Sequence, residues 1–241
     1  MSIIQSLWIG KSLSVMEILS ATSFIKNGDE FHLYAYDDID NVPEGVQIKD
    51  ANLILPADKI FKYKKHNSYA GFANMFRYKL LLEKGNYWVD TDIISLKKFD
   101  HEDDFLFASA KTPRKFLRYG NTVCNCVMKT PKDSIIMEYC YDKASQKDSS
   151  EISWGETGPE LLTKAVKYLQ HKSDVAKYDL FCPVHWFQWD KLIKKNPNIN
   201  LIANSDAVHF WNEMWRRANI DKSGKFPEDS IYEILKRLYL E

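Results

Sequence analysis

The sequence has little that would divide it into parts or place it in a membrane. It has nine glycines and eight prolines in 241 residues, and no stretch rich in these residues or in serine marks a linker. No apolar run reaches the roughly 20 residues that a membrane-spanning helix needs. The first nine residues lack the basic and apolar segments of a secretion signal. We therefore expect one domain over residues 1–241, without a transmembrane segment, in the cytoplasm or peripheral at a membrane surface.

An excess of one charge and a cysteine framework are also missing. Lys and Arg total 33, as do Asp and Glu, so the net charge gives no reason to expect a nucleic-acid partner. Cys124, Cys126, Cys140 and Cys182 show no CxxC motif and no Cys/His zinc spacing. Cys124 and Cys126 alternate along an expected strand, which is a poor geometry for a disulfide. We predict buried free thiols in a reducing compartment.

The apolar pattern predicts an alternating α/β order. Residues 3–9 and 31–36 read as strands on either side of a helix over residues 15–26, an order typical of a parallel sheet. Helical spacing then runs from Tyr69 to Gly85. Further strands are expected over residues 105–108, 122–128, 201–203 and 207–210, and further helices over residues 131–147, from 157, and from Pro227 to the end.

The most informative motif is a pair of aspartates, Asp90 and Asp92, directly after the apolar residues 87–89. Open α/β sheets bind ligands at the carboxyl ends of their strands. Two neighbouring carboxylates repel each other, and Mg²⁺ or Mn²⁺ relieves that repulsion because both ions favour carboxylate oxygens. Such a cation keeps positions open for phosphate oxygens. The motif by itself is also compatible with a solvated turn.

Two further groups of side chains strengthen this prediction. Asn74 and Arg77 are three residues apart on the preceding helix, so they share a face, and a guanidinium there could hold a phosphate or a sugar hydroxyl. His209 follows a late strand and could supply an imidazole to the same cation. Trp211 and Trp215 come soon after it. The alternatives are a surface ion pair for Arg77, an ordinary hydrogen-bonding histidine, and core packing for the two tryptophans.

The order of these blocks resembles that of the DXD-containing sugar transferases. This group includes capsule and lipopolysaccharide sugar transferases, yeast α-mannosyltransferases and α-1,4-galactosyltransferases. The matching blocks are spread over almost the whole chain and lie at residues 4–10, 70–92, 125–128, 157–159 and 209–215. The resemblance implies a GT-A fold, which is a Rossmann-like α/β domain with a mostly parallel central sheet flanked by helices. It also implies a helical lid portion from about residue 205.

The same resemblance implies a retaining hexosyltransferase that uses a nucleotide sugar, with UDP-hexose as the expected donor, and Mn²⁺ or Mg²⁺. The acceptor would be a glycan or a lipid-linked sugar. The residues implied to bind the donor are Trp8, Asn74, Arg77, Asp90, Asn212 and Trp215. The implied metal ligands are Asp90, Asp92 and His209, and the implied catalytic residues are Asp92 and Asn125, to which we add Glu156 as an acceptor-side carboxylate.

The chain departs from the family pattern at three places. Asn74 stands where the family usually has Asp, Gly85-Asn86 replaces a Gly-Gly pair, and Glu213-Met214 replaces small residues. The loss of charge at Asn74 leaves a catalytically weak nucleotide-sugar-binding protein as one alternative. A haloacid-dehalogenase-type phosphatase is another, because it also places Asp-x-Asp after an apolar strand. That motif normally lies near the N-terminus, whereas here almost ninety residues precede it.

Overall fold

The structure is a computed structural model that describes residues 2–64, 66–114, 118–195 and 197–241. The described strands are β1 (Ile3–Trp8), β2 (Glu30–Ala35), β3 (Val46–Asp50), β4 (Asn86–Val89), β5 (Ile93–Ser95), β6 (Leu106–Arg114), β7 (Arg118–Thr130) and β8 (Ala207–His209). The described helices are α1 (Val15–Lys26), α2 (Ala70–Lys84), α3 (Ile135–Ser145), α4 (Pro159–Tyr168), α5 (Tyr178–Phe181), α6 (Asn212–Arg217) and α7 (Ile231–Leu240). Short 3-10 helices lie at Ala51–Leu53, Ala57–Lys59, Lys172–Asp174, Trp186–Leu192 and Ile199–Leu201.

Six strands form a central sheet in the order β3-β2-β1-β4-β7-β6. The first four are parallel to one another, and β7 and β6 are antiparallel additions at one edge. Right-handed crossovers in a parallel sheet place helices on its faces. The mostly parallel sheet flanked by helices confirms the predicted α/β architecture.

A second, two-stranded sheet pairs β5 with β8 in antiparallel register, with Ile93 opposite His209. The chain leaves the central sheet at the end of β4 and enters this small sheet at the start of β5. The three residues between the two strands are Asp90, Thr91 and Asp92. The pairing of β5 with β8 therefore brings the late His209 block next to the aspartates.

The core lies on both faces of the central sheet. Along β4, Trp88 packs with α2, α3 and α4 on one face, while Tyr87 and Val89 pack with α1 on the other. A third cluster joins α1, α7 and the small sheet, and it contains Phe210 and Trp215. Alternation along the strand thus buries both faces, as expected for an inner parallel strand.

The turn from α2 into β4 depends on glycine at one position. Gly85 has φ +65° and ψ −158°, a region that is essentially restricted to glycine. A Cβ atom there would also lie 2.5 Å from the backbone nitrogen of Lys132. Asn86 follows with φ +72°, which asparagine tolerates. Replacement of the family's second glycine by Asn86 is therefore compatible with the turn that leads to the aspartates.

The predicted elements agree with the structure except in a few places. The strand expected over residues 201–203 is wrong, because Ile199–Leu201 forms a 3-10 helix there. The last helix begins at Ile231, after the N-cap Ser230, rather than at Pro227. The four cysteines are free and buried, as predicted. None of the described helices combines the length and apolar character needed to cross a membrane.

The buried carboxyl group of Asp29 makes the stability of the protein depend on pH. Its Oδ2 accepts a hydrogen bond from the Phe99 N–H at 3.1 Å, and its Oδ1 is buried without a partner among the described residues. Burial raises the pKa of Asp29 from 3.8 to about 6, against the effects of the Phe99 N–H and Lys98. As the pH rises, the Asp29 carboxyl group therefore loses its proton at a lower pH in the unfolded chain than in the folded protein. The free energy of unfolding falls as the pH rises from about 3.8 to about 6.

We expect Asp29→Asn to be more stable than the parent at pH 8, by roughly 1–2 kcal/mol, because an amide keeps the acceptor without a buried charge. At pH 4 the two proteins should differ much less in thermal midpoint. Thermal unfolding at both pH values checks this. A stability difference that is the same at pH 4 and pH 8 would contradict the assignment of the pH dependence to Asp29.

Candidate functional site

The aspartate pair lies in a tight turn at the carboxyl end of β4. The Asp90 N–H donates to the carbonyl of Cys126 on β7 at 2.8 Å, and the Ile93 N–H donates to the Asp90 carbonyl at 3.0 Å. The backbone is therefore held to the central sheet on one side and turned into β5 on the other. Both carboxylates lie at this edge of the sheet.

Asp90 is held by two donors from the same side of the sheet. Its Oδ1 accepts from the Trp88 indole N–H at 2.9 Å and lies 3.1 Å from a terminal nitrogen of Arg77. The guanidinium of Arg77 also donates to the carbonyls of Asn125 at 2.6 Å and Ala73 at 3.1 Å, and it lies over the Trp88 ring. Only a quarter of the Asp90 side chain is exposed. The guanidinium group of Arg77 thus connects α2, β7 and the aspartate turn.

Asp92 is held by the late block of the chain. Its Oδ2 accepts from the backbone N–H of Asn212 at 2.7 Å and lies 3.3 Å from Nε2 of His209. Trp211, between these two residues, has φ +56° and ψ +49°, an unusual conformation for a bulky residue. Its ring packs on the His209 ring with centroids 3.7 Å apart. Trp211 thus adopts a left-handed conformation directly before Asn212, whose backbone N–H donates to the Asp92 carboxylate.

The two carboxylates of this turn have pKa values shifted in opposite directions, because their neighbours differ. Burial raises the pKa of Asp90 to about 6; Arg77 opposes this, and the neighbouring Asp92 adds to it. Burial acts on Asp92 in the same sense, but His209 and the Asn212 N–H outweigh it and lower the pKa of Asp92. Burial alone would lower the pKa of His209, yet Asp92 raises it well above its ordinary value.

A donor set that suits a hard divalent cation is present in this turn. Ligand atoms of Asp90, Asp92 and His209 lie within 4.8 Å of one another. Two carboxylates that repel each other in a buried position are stabilised when a cation stands between them. The residues of the turn therefore fit the cation that the sequence pattern predicts.

A network of neutral polar side chains lies beside Arg77. The Asn125 amide donates to Oδ1 of Asn74 at 2.8 Å, and the Asn74 amide is 3.3 Å from the hydroxyl of Thr157. The Tyr78 hydroxyl donates to the Thr157 carbonyl at 3.1 Å. A Cβ atom at Gly158 would lie 2.8 Å from the Asn74 amide nitrogen. Glycine therefore permits the close approach of this loop to α2.

Trp8 lies at the same edge of the central sheet. It ends β1, which pairs with β4 through Gln5 opposite Trp88, so the continuation of β1 runs alongside the aspartate turn. The indole N–H of Trp8 is buried and has no hydrogen-bond partner among the described residues. The Lys222 ammonium lies 5.8 Å from the centre of its ring. Trp8 thus has an unused donor at the sheet edge where the aspartate turn lies.

Two predicted site residues make other contacts in the structure. Trp215 is fully buried in the third core cluster, and its indole N–H donates to the Phe210 carbonyl at 2.7 Å. That Trp215 binds the donor and that residues 209–215 close over it as a lid stay predictions; in this structure the Trp215 ring lies in the core. Glu156 pairs with Lys147 at 2.7 Å, and this pair lowers its pKa. The role of Glu156 as an acceptor-side carboxylate stays a prediction.

Asn212 approaches the site through its backbone, and its side chain is only partly buried.

Two residues that contact the site were not predicted from the sequence. Trp88 supports Asp90, and its position two residues earlier on the same strand face was an available signal. Cys182 lies 3.8 Å from Nδ1 of His209, and no sequence spacing connects the two.

The chain has a mixed α/β fold with an aspartate pair at the carboxyl end of β4. Residues 130–239 match the family model described as the alpha 1,4-glycosyltransferase conserved region. This match confirms the resemblance to a sugar transferase family and the prediction of a glycosyltransferase enzyme. It does not support a phosphatase.

Solved structures and curated proteins were compared as well. The chain is similar to the PaToxG glycosyltransferase, with 16% identity over 70% of this chain and 69% of that chain and a TM-score of 0.49. It is also similar to a mutant transferase, with 13% identity over 81% of this chain and 91% of that chain and a TM-score of 0.47. No curated protein matches the chain.

Proposed function

We propose that this glycosyltransferase moves a hexose from a UDP-sugar to a hydroxyl of a glycan or lipid-linked sugar, with a divalent cation and with retention of anomeric configuration. The observation that carries the proposal is the pair Asp90 and Asp92 at the end of β4, with Arg77 bonded to Asp90. Residues 1–241 would form one GT-A domain, of which residues from about 205 onward are a packed helical portion.

The aspartate turn would hold the cation together with the donor diphosphate. When bound, Mn²⁺ or Mg²⁺ would neutralise the charge that develops on the leaving diphosphate. Asp90 and Asp92 supply the carboxylate oxygens, and Arg77 places a fixed positive charge beside them. His209 is not required as a ligand in this proposal, because its Nε2 can donate to Asp92 while its Nδ1 faces the thiol of Cys182.

The donor would lie across the carboxyl edge of the central sheet. Trp8 offers its unused indole N–H and ring to the base, since an aromatic ring with a polar group suits a site of mixed character. Asn74, Asn125 and Thr157 form a compact polar wall that would face the hexose hydroxyls. A neutral amide at Asn74 can still accept from a sugar hydroxyl, and it is already oriented by Asn125. The substitution of Asn for Asp therefore leaves this wall intact.

Retention is supported by the chemistry of that wall. Its side chains are two amides and a hydroxyl, none of which is a good covalent nucleophile without an adjacent base. A front-face transfer needs no such nucleophile, because the departing diphosphate takes the proton of the acceptor hydroxyl. Arg77 and the amide of Asn125 would then hold the donor as the glycosidic bond breaks. Fixed donors of this kind act where charge develops.

Slow donor hydrolysis is the direct experiment for this proposal, because it requires no acceptor. The purified chain is incubated with a panel of UDP- and GDP-hexoses and Mn²⁺, and free nucleotide is measured. We expect release of UDP from one UDP-hexose, abolished by EDTA. Release of nucleotide from none of the sugars, or release that EDTA leaves unchanged, would contradict the proposal. p-Nitrophenyl phosphate serves as a phosphatase control and should not be cleaved.

An exposed tryptophan beside the polar wall is a candidate platform for the acceptor sugar. Trp154 is 39% exposed and stacks against Tyr63 and His66, with ring centroids 5.3 and 5.0 Å away. Tyr63 lies against Gly71 in the first turn of α2, one turn before Asn74. The Arg217 guanidinium lies 5.0 Å from the Trp154 ring. The Trp154 ring is therefore partly exposed, with Tyr63, His66 and the Arg217 guanidinium packed against it.

We expect Trp154→Ala to raise the KM for an acceptor sugar by roughly 5-fold, since an aromatic contact contributes about 1 kcal/mol. Donor hydrolysis should not change, because the ring touches neither aspartate. The matched control is Tyr168→Ala, which removes an aromatic side chain that is 71% exposed on α4. Transfer to a panel of mono- and disaccharides is measured by UDP release above the hydrolysis rate. Equal acceptor KM values for the two variants would remove Trp154 from the site.

A further inference from the structure

Three buried thiols and one imidazole converge directly beneath the aspartate turn. Cys124, Cys126, Cys182 and His209 each offer one ligand atom, and these atoms all lie within 4.8 Å of one another. The four residues come from β7, from the end of α5 and from β8, three segments that are far apart in the sequence. We propose that this cluster is a second metal site, for a thiophilic divalent ion such as Zn²⁺.

The distances agree with tetrahedral coordination. The sulfur atoms of Cys126 and Cys182 are 3.7 Å apart, and the sulfur of Cys182 is 3.8 Å from Nδ1 of His209. A tetrahedral zinc ion with Zn–S bonds of about 2.3 Å places its sulfur ligands about 3.8 Å apart. Three cysteines and one histidine are a common ligand set of structural zinc sites.

The cluster is closed, as structural zinc sites are. Cys126 and Cys182 are fully buried, and Cys124 and His209 are 8% and 6% exposed. An irregularity in the β6–β7 pairing sets Ala108 opposite Cys124 and Phe107 opposite Met128, so three residues of β7 lie between these pairs. Bulges of this kind redirect side chains near functional sites. Here Asn125 joins the polar wall while its two cysteine neighbours join the cluster.

A disulfide accounts for the cluster less well. It would require the sulfurs of Cys126 and Cys182 to move from 3.7 Å to about 2.05 Å. It would also leave the thiol of Cys124 and Nδ1 of His209 without a role. A metal ion uses all four groups, and it would tie β7 of the central sheet to β8 of the small sheet.

The second site would also define what His209 does at the aspartate turn. With Nδ1 on the metal, Nε2 carries its proton and faces Oδ2 of Asp92 at 3.3 Å. Metal-bound histidines commonly donate their other N–H to a carboxylate. The buried metal would then fix the position of Asp92 through His209. This goes beyond the proposed function, which needs only the two aspartates as ligands of the catalytic cation.

Metal content and a Co²⁺ spectrum test this site without any measurement of activity. The full chain is purified without added metal, and its zinc is measured by elemental analysis and then exchanged for Co²⁺. We expect one zinc ion per chain, and the visible bands of tetrahedral Co²⁺ with a thiolate charge-transfer band. Folded parent protein that has no zinc and gives no such bands on Co²⁺ addition would overturn the proposal. So would a Cys126–Cys182 disulfide found by mass spectrometry.

Variants assign the bands to the cluster. Cys182→Ser should lose the thiolate bands, whereas Cys140→Ser should keep them, because Cys140 is an equally buried free cysteine outside the cluster. Asp90→Asn should keep them as well, since that carboxylate belongs to the other cation. Bands that survive Cys182→Ser would contradict the assignment. If Cys182→Ser does not fold, the zinc content and Co²⁺ spectrum of the parent and of Cys140→Ser still decide the question.

Discussion

Asp92→Asn should lower the rate of UDP-hexose hydrolysis by at least about 100-fold, because removal of one group that stabilises developing charge has an effect of this size. An amide keeps the shape of the side chain and can still accept the Asn212 N–H, which lies 2.7 Å from Oδ2. It has no negative charge to offer a cation. The fold should therefore survive while the activity is lost.

The matched control for this variant is Asp103→Asn, which removes an exposed carboxylate outside the aspartate turn. Both variants should unfold near the parent's temperature, and only Asp92→Asn should lose donor hydrolysis in Mn²⁺. Raising the Mn²⁺ concentration should restore part of the activity if the defect is cation affinity. A variant that keeps the parent's rate would show that Asp92 is not a ligand of the catalytic cation.

Arg77→Lys should have the second largest effect. The guanidinium bonds simultaneously to the carbonyls of Asn125 and Ala73 and to the carboxylate of Asp90. A lysine ammonium keeps the charge but cannot reproduce the planar fork, so at least one buried acceptor loses its partner. We expect a loss of about 1–3 kcal/mol in stability and a fall in turnover larger than that loss of stability can explain.

Kinetics and unfolding measured on the same preparation separate these two effects. At a temperature where the variant is fully folded, kcat for donor hydrolysis should still be reduced. Arg237→Lys, at an exposed position on α7, is the control and should match the parent in both measurements. If Arg77→Lys lowers stability alone, Arg77 is a structural residue and not part of the donor site.

The sequence predicted the parts of the site that depend on local pattern. Asp90 and Asp92 follow an apolar strand, and the helix that carries Asn74 and Arg77 ends at Gly85, where φ is +65°. These features arise from periodicity and from backbone preferences that a short window of sequence reveals. The His209 block was also placed correctly as a late strand, because residues 207–210 are apolar around one histidine.

Long-range packing accounts for what the sequence did not show. The sequence does not show that the core formed by α1, α7 and the small sheet encloses the ring of Trp215 completely. Glu156 forms an ion pair with Lys147, which lies nine residues earlier, and no sequence motif indicates this pair. The sequence does not predict the thiol cluster, because Cys182 and Cys126 are distant along the chain and only the fold brings them together. Contacts between distant segments are set by the sheet order and not by spacing along the chain.

The central claim is that Asp90 and Asp92 hold a divalent cation together with the diphosphate of a UDP-sugar. Calorimetric titration of UDP into the full chain, in Mn²⁺ and in EDTA, tests it most directly. We predict one UDP per chain in Mn²⁺, binding at least about 10-fold weaker in EDTA, a difference of about 1.4 kcal/mol, and no such difference for Asp90→Asn. Equal affinity of the parent chain for UDP in Mn²⁺ and in EDTA, or no UDP binding in Mn²⁺, would contradict the account.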